Sequence, residues 1–197
     1  MGLHLARFGH RRSYAIEMGG DILKVGISGT LSSPRITTEL GVPRFDTKAV
    51  PMKSRRHYHI NAPIKIGGQI FPITCLSVGN PHAVLFVDSF DFDWPSLGKE
   101  IEHHRVFPER INVEFVKVIS QRKLKVCDWE RGAGATGSSG TGASAAVCAG
   151  VMLGAVERTC SVDFPGGTLH VHWRESDDRI VITGPVKYVF SGEYEFK

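Results

Sequence analysis

Two distant stretches of this chain follow the same order of segments, and that order restricts the fold more than any single motif. Near the start, residues 2–8 have helical spacing and lead into residues 14–25; near the end, residues 142–156 lead into residues 160–171. In both copies an alternating strand runs into a glycine pair, Gly19-Gly20 or Gly166-Gly167, and a second alternating strand leaves it. Two strands joined through glycine read as a β-hairpin. Each copy then adds a strand ending near a Gly and a Pro, over residues 36–43 and 180–185. Duplication of a helix-plus-hairpins unit is the simplest account. In a chain with 22 glycines, a chance match of two hairpins is the plain alternative. Between the copies, residues 69–76, 83–88, 112–119 and 123–129 read as strands. Residues 94–104 have helical spacing, with Asp93 as N-cap and Pro95 in the first turn. Strands outnumber helices, which favours α+β over βαβ winding.

Charge and composition remove several function classes. The net charge of +4 is scattered, and its densest run, Lys53-Ser54-Arg55-Arg56-His57, reads as a solvated loop. A nucleic-acid binder needs a stronger basic face interleaved with aromatics, so no nucleic-acid partner is expected. The first residues lack the apolar segment of a secretory signal. The longest apolar run, residues 143–156, is shorter than the roughly 20 residues that cross a bilayer, so no membrane partner is expected. Cys75, Cys127, Cys148 and Cys160 are widely spaced and form no CxxC pair. They read as reduced, mostly buried thiols of a cytoplasmic protein. His57/His59 and His170/His172 have strand spacing and read as exposed strand histidines; with no third ligand near either pair, no metal site is expected.

The chemistry concentrates in residues 129–144, WERGAGATGSSGTGAS, where a polar strand ends and a small-residue helix opens. Unpaired backbone N–H groups and the positive end of the helix make such a loop an anion site. Arg131 beside it adds a fork for a carboxylate. Three better-known motifs fail here. Residues 137–144 match a P-loop except that its lysine is Ala143. Gly140-Thr141-Gly142 with Ala145 matches a dinucleotide fingerprint, but Gly140 lies too far after its strand, and a hairpin follows. Neither Ser138 nor Ser139 has the flanking glycines of a hydrolase elbow. Two further segments are polar at strand entrances: Gly79-Asn80-Pro81-His82, and Asn112 at the start of 112–119. Each alone reads as a turn or a structural asparagine; with Glu130 and Arg131 they form a constellation.

In their order, GNPHAV (79–84), RINVEFV (110–116), ERGAG (130–134), SGTGA (139–143), FPGG (164–167) and TGP (183–185) resemble the diaminopimelate epimerase family, over nearly the whole chain. The resemblance implies an α+β fold of two pseudo-symmetric domains, each a curved, mostly antiparallel sheet wrapped around a central helix, with the first domain incomplete. It implies residues 1–77 as the remainder of the first domain, 78–183 as the second, and 184–197 as a strand returning to the first. The implied activity is cofactor-independent proton abstraction and return at an amino-acid α-carbon, in lysine and peptidoglycan precursor biosynthesis, by a homodimer. Asn80 and Asn112 would hydrogen-bond the substrate, Glu130 and Arg131 would hold its amino and carboxylate groups, and the backbone of Gly140 and Thr141 would receive the α-carboxylate. His82 would line the cleft.

The family's two bases are cysteines. The second precedes GTGA, where this chain has Ser139. The first lies in a CGNG-type loop whose last glycine matches Gly2, so the opening strands and that cysteine are expected to be absent. Ser139, His82 and Glu130 are then the candidate catalytic groups. The expected activity is an impaired epimerase. The alternatives are an amino-acid-binding homologue without turnover, or a related racemase with another substrate and a non-cysteine base.

Overall fold

A small-residue helix that is apolar on every side cannot rest on one face of a flat sheet; it needs cover all round. The computed structural model, which describes residues 11–18, 21–30, 32–193 and 195, meets that need. The helical stretch expected over residues 2–8 and the Gly19-Gly20 turn lie outside the described residues. The chain divides into two compact units, one of residues 1–38 with 183–197, the other of residues 39–182.

In the first unit, β1 (Ser13–Met18) and β2 (Asp21–Thr30) pair antiparallel from Ser13↔Gly26 to Met18↔Asp21, as the first hairpin expectation requires. Next to β2 lies β3 (Ser33–Glu39), tied to the returning chain by a 2.9 Å hydrogen bond between the Thr37 and Thr183 hydroxyls.

The larger unit holds β4 (Ala62–Ile66), β5 (Gln69–Ser77), β6 (Pro81–Phe86), α1 (Trp94–Glu102), β7 (Asn112–Ser120), β8 (Lys123–Glu130), β9 (Gly134–Ala135), α2 (Gly140–Met152), β10 (Thr159–Phe164), β11 (Gly167–Trp173) and the start of β12 (Ile180–Pro185). Its sheet runs β12-β11-β10-β8-β7-β6-β5-β4, with β9 paired to β8. The β6/β7 and β8/β10 pairs are parallel; β4/β5, β5/β6, β7/β8, β8/β9 and β10/β11 are antiparallel. Residues 39–77, expected with the first domain, lie in this unit, because β5 pairs with β6 from Thr74↔Val84 to Ser77↔Pro81.

Helix α2 is central. Nine consecutive residues, Gly142 to Gly150, are buried, more than one helical face can supply, and strands β5, β6, β7, β8, β10 and β11 all contact it. Its Ala, Gly and Ser side chains keep it thin enough for the sheet to approach from several directions. Leu76, Val84, Val116, Leu124, Val126, Val162 and Val171 pack round it. The helix ends earlier than residue 156, because Gly154 adopts φ 68°, and Ala155 N–H and Gly154 N–H return to the Gly150 and Val151 carbonyls at 2.9 and 3.0 Å. That is the glycine-closed helix terminus that satisfies otherwise orphaned carbonyls. By contrast α1 buries one stripe, Gly98, Ile101 and Glu102, against the opposite face of the sheet, and Asp93 caps it by accepting from Ser96 N–H at 3.1 Å.

Strand β4 went unread because Pro63 interrupts it. It is an edge strand, where a missing N–H is tolerated, and Pro63 faces Pro72 of β5, beyond the residues of β5 that pair with β6. The His57/His59 pair is also corrected: neither residue lies in a strand, and His59 is buried while His57 is exposed. His170 and His172 lie exposed on one face of β11.

The second hairpin turn pins the loop before α2. Gly166 N–H donates to Gly137 O at 2.7 Å, and a Cβ on Gly166 would lie 2.7 Å from that same oxygen. Gly166→Ala should therefore push residues 136–139 aside and cost about 1–3 kcal/mol, as overpacking against backbone does. Urea denaturation checks this; an unchanged midpoint would show that the contact can relax freely.

Candidate functional site

Strand alternation decides which side chains meet α2. Val84, Val116, Leu124 and Val126 pack on the helix, while Ala83, Leu85, Val113 and Phe115 face the other core. Steps of two from the first set reach His82, Asn112, Glu114, Asp128 and Glu130, so these five polar side chains share the helix-facing side of the sheet. The register sets His82 opposite Asn112, and Glu114 opposite Asp128.

His82 is fully buried, with Nδ1 2.6 Å from Glu114 Oε1 and Nε2 2.8 Å from Asn80 Oδ1. Asn80 donates its amide N–H to Thr141 Oγ1 at 3.3 Å, which leaves its oxygen facing the imidazole. Nε2–H therefore donates to Asn80, and one proton is shared along the short Nδ1–Glu114 line. Both ring nitrogens are committed to protein partners. Burial pushes the Glu114 carboxyl up from its ordinary value; the adjoining His82 pulls it back by less, and Asp128 and Glu130 add to the rise.

Asp128 is raised as well, chiefly by burial. Its Oδ2 and Glu130 Oε1 both lie 2.6 Å from the Thr136 hydroxyl oxygen. A hydroxyl has one proton to give, so two ionised carboxylates here would leave one short contact without a hydrogen. One carboxyl must be protonated and donate to Thr136. Asp128 is the carboxyl whose charge burial disfavours, and the Thr136 hydroxyl bridges it to Glu130. Glu114 Oε2 and Asp128 Oδ1 are buried with no hydrogen-bond partner among the described residues.

At the start of α2, Ser139 is the N-cap: its Oγ accepts from Gly142 N–H at 3.1 Å and its carbonyl from Ala143 N–H at 2.9 Å. Gly140 N–H and Thr141 N–H have no hydrogen-bond partner among the described residues and lie at the positive end of the helix. A side chain at 142 would press on the cap and the sheet, since its Cβ would lie 3.1 Å from both Glu114 Oε1 and Ser139 Oγ.

The loop carrying Glu130 and Arg131 is held from two sides. Asn112 donates to Pro81 O at 2.8 Å and accepts from Arg131 N–H at 2.9 Å, so both ends of its amide serve the scaffold. Glu102, on the buried stripe of α1, accepts from Trp129 Nε1–H at 2.7 Å and Gly132 N–H at 2.9 Å. Burial alone would raise Glu102; those hydrogen bonds and the charges of His103 and Arg110 outweigh it and hold the carboxyl below its usual value. The Arg131 guanidinium is exposed and donates to Glu109 O at 3.1 Å. The structure thus gathers Asn80, His82, Glu130, Ser139, Gly140 and Thr141 at one end of α2, uses Asn112 as a strut, and turns Arg131 towards residue 109.

Glu102, Glu114, Asp128 and Thr136 were not singled out in the sequence. A signal existed for two of them: Glu114 sits between Val113 and Phe115 in an apolar strand, and Glu102 follows Ile101 on the apolar stripe of a helix. All four cysteines are free and buried, and burial pushes each thiol up, Cys160 to about 11, so none is poised as a thiolate. Among the described residues there is no metal-holding cluster of His, Cys, Asp or Glu, and no helix is long and apolar enough to cross a membrane.

A carboxyl whose folded pKa lies above its unfolded value stabilises the fold below that unfolded value and loses this contribution as pH rises through the folded one. Asp128→Asn removes such a group. The melting temperature of the parent, relative to the variant, should fall as pH rises from about 4, the ordinary Asp value. A difference that stays constant with pH would mean that Asp128 is ionised throughout.

The model of the family described as diaminopimelate epimerase matches residues 74–189. The diaminopimelate epimerase of Gloeothece citriformis is 40% identical over 187 residues, covering 93% of this chain and 66% of its own length. That of Rippkaea orientalis is 42% identical over 163 residues (81% and 58%), and that of Magnetococcus marinus 40% over 195 (98% and 68%). The chain therefore spans about two thirds or less of the length of most of these curated relatives. Among solved structures, a hydroxyproline epimerase from Agrobacterium vitis with bound trans-4-hydroxy-L-proline aligns with TM-score 0.66 at 14% identity, covering 94% of this chain and 62% of that one. A phenazine biosynthesis protein of Bacillus anthracis aligns with TM-score 0.53 at 17% identity, covering 94% and 71%. At such identities the likeness shows a shared fold alone.

Proposed function

Since this chain belongs to the diaminopimelate epimerase family, we propose that the cluster at the start of α2 is the amino-acid-binding part of an isomerase site that moves the proton of an α-carbon without a cofactor. The observation that carries this reading is the pair of unpartnered N–H groups on Gly140 and Thr141. They receive the α-carboxylate. An α-proton is a very weak acid, and its removal drives negative charge onto that carboxylate. Fixed donors aimed at developing charge are each worth on the order of 3 kcal/mol in comparable sites.

Glu130, half-buried, takes the substrate's ammonium, its orientation set by the donor Thr136. Asn80 is the other polar group at this end, held by His82 and Thr141. His82 acts as a positioning residue, because neither ring nitrogen is free to accept a ligand proton. Asn112 acts through the backbone of Arg131. In this reading the substrate is diaminopimelate, the setting is cytoplasmic lysine and peptidoglycan precursor biosynthesis, and the assembly is a homodimer.

One observation favours a second reading, amino-acid binding without turnover. The Ser139 oxygen is occupied by Gly142 N–H, and among the described residues no hydrogen bond joins its hydroxyl to a carboxylate or histidine. A serine without a partner to take its proton is a far poorer base than a thiolate.

Two measurements separate these readings. Calorimetry with diaminopimelate should show binding, weakened about tenfold or more by Glu130→Gln, as loss of a charge-assisted contact implies. Deuterium incorporation at the α-carbon should be slow for the parent and at least about tenfold faster for Ser139→Cys, since a thiol at a helix N-terminus ionises readily. Absence of binding would sink both readings; rapid exchange by the parent would sink the second.

A further inference from the structure

We propose that a second site, in the cleft formed by residues 52–56, β4 and residues 104–106, binds a small phosphate-bearing ligand through Lys53, Arg55, Arg56, Lys65 and Arg105. The cleft has a cavity volume of about 520 Å³. That lies within the range of small-molecule sites, roughly 300–1,000 Å³. Its lining includes those five permanent cations and no carboxylate. Among the described residues none of the five has an ion-pair partner. Five like charges around one recess repel each other, and a multiply charged anion relieves that repulsion. Three of the five are arginines, whose planar forks suit phosphate oxygens.

The second observation is His59, which is 4% exposed and forms part of the cleft wall. Its Nε2 lies 3.1 Å from the Ala62 carbonyl, which can only accept, so Nε2 carries a hydrogen. Its Nδ1 is buried with no partner. That unsatisfied acceptor lies within the wall, and burial, with the charge of Arg56 adding to it, holds the imidazole below its ordinary value, so a protonated phosphate oxygen rather than an anionic one is the group that suits it. The walls are also built rather than loose. Lys53 N–H donates to Val106 O at 2.8 Å, Thr47 Oγ1–H to Arg56 O at 2.8 Å, and Cys75 N–H to His59 O at 2.8 Å. Met52, Ile64 and Val106 add apolar surface for an organic group. The basic run that reads in sequence as a solvated loop is therefore one wall of a recess completed by β4 and the segment after α1.

None of these residues belongs to the cluster at the start of α2, so this site stands or falls apart from the isomerase reading. Calorimetry of the full chain at low salt, with inorganic phosphate, pyrophosphate and adenosine diphosphate, tests it. Pyrophosphate and the nucleotide should bind at least about tenfold more tightly than phosphate, and the double change Arg55→Ala/Arg105→Ala should weaken pyrophosphate about tenfold or more. Both side chains are exposed and unpaired, and their loss relieves like-charge repulsion, so the unliganded melting temperature should not fall. Arg44→Ala, which removes a guanidinium paired with Asp46, should leave the affinity intact. No binding by any of the three anions, an unchanged affinity in the double variant, or binding of an oligonucleotide alone would overturn the proposal.

Discussion

Burying a thin helix on every side is the constraint from which the rest of this structure follows. The body of α2 is made of Ala, Gly, Val, Cys and Ser, with no polar face to turn to water. Strands from both directions must therefore close on it. Closure of that kind leaves the helix only its two ends as places where polar groups can gather. At the C-terminal end, Gly154 folds the chain back on itself and satisfies the last carbonyls internally. At the N-terminal end the serine cap satisfies one N–H, and two remain. The proposed site is located by what the helix cannot satisfy from its own residues.

The strands answer that end with carboxyls, which is electrostatically expensive. Glu114, Asp128 and Glu130 crowd one corner of the sheet with His82 as the only base among them, and burial disfavours the ionised forms of Glu114 and Asp128. The arrangement is tolerated because protons are shared: one along the line between His82 and Glu114, another at the Thr136 hydroxyl that bridges Asp128 and Glu130. Such coupled groups hold orientation more firmly than charge. The result is a polar frame in which Asn80 and Glu130 have little freedom to turn away from the helix start.

Much of the fold was legible because it rests on local rules. The Asp93 cap, the amphipathic α1, the alternating strands of the second hairpin and the glycine-opened helix follow from spacing and turn chemistry within a few residues. Strand β4 was hidden, since Pro63 argues against a strand unless one knows that the strand lies at an edge. The site was legible in part. Asn80, His82, Glu130, Ser139, Gly140 and Thr141 stood out as polar or glycine positions at element ends. Asp128 and Thr136 did not, because an acid in a polar strand and a threonine in a loop look solvated until the register brings them together. Arg131 and Asn112 were visible, but their directions were not: one reaches residue 109 and the other spans two loops.

The division has a physical reason. Sequence by itself determined the helix and strand periodicities, the loop that must leave N–H groups free, and the serine at the cap, because each depends on neighbours along the chain. Tertiary structure alone decided which acids would be buried opposite one another, which would keep a proton, and which basic loop would become the wall of a recess. Those outcomes depend on desolvation and on contacts between residues dozens of positions apart. A carboxyl or a guanidinium carries the same chemistry in water wherever it falls in the chain; only the packing around it sets what that chemistry becomes.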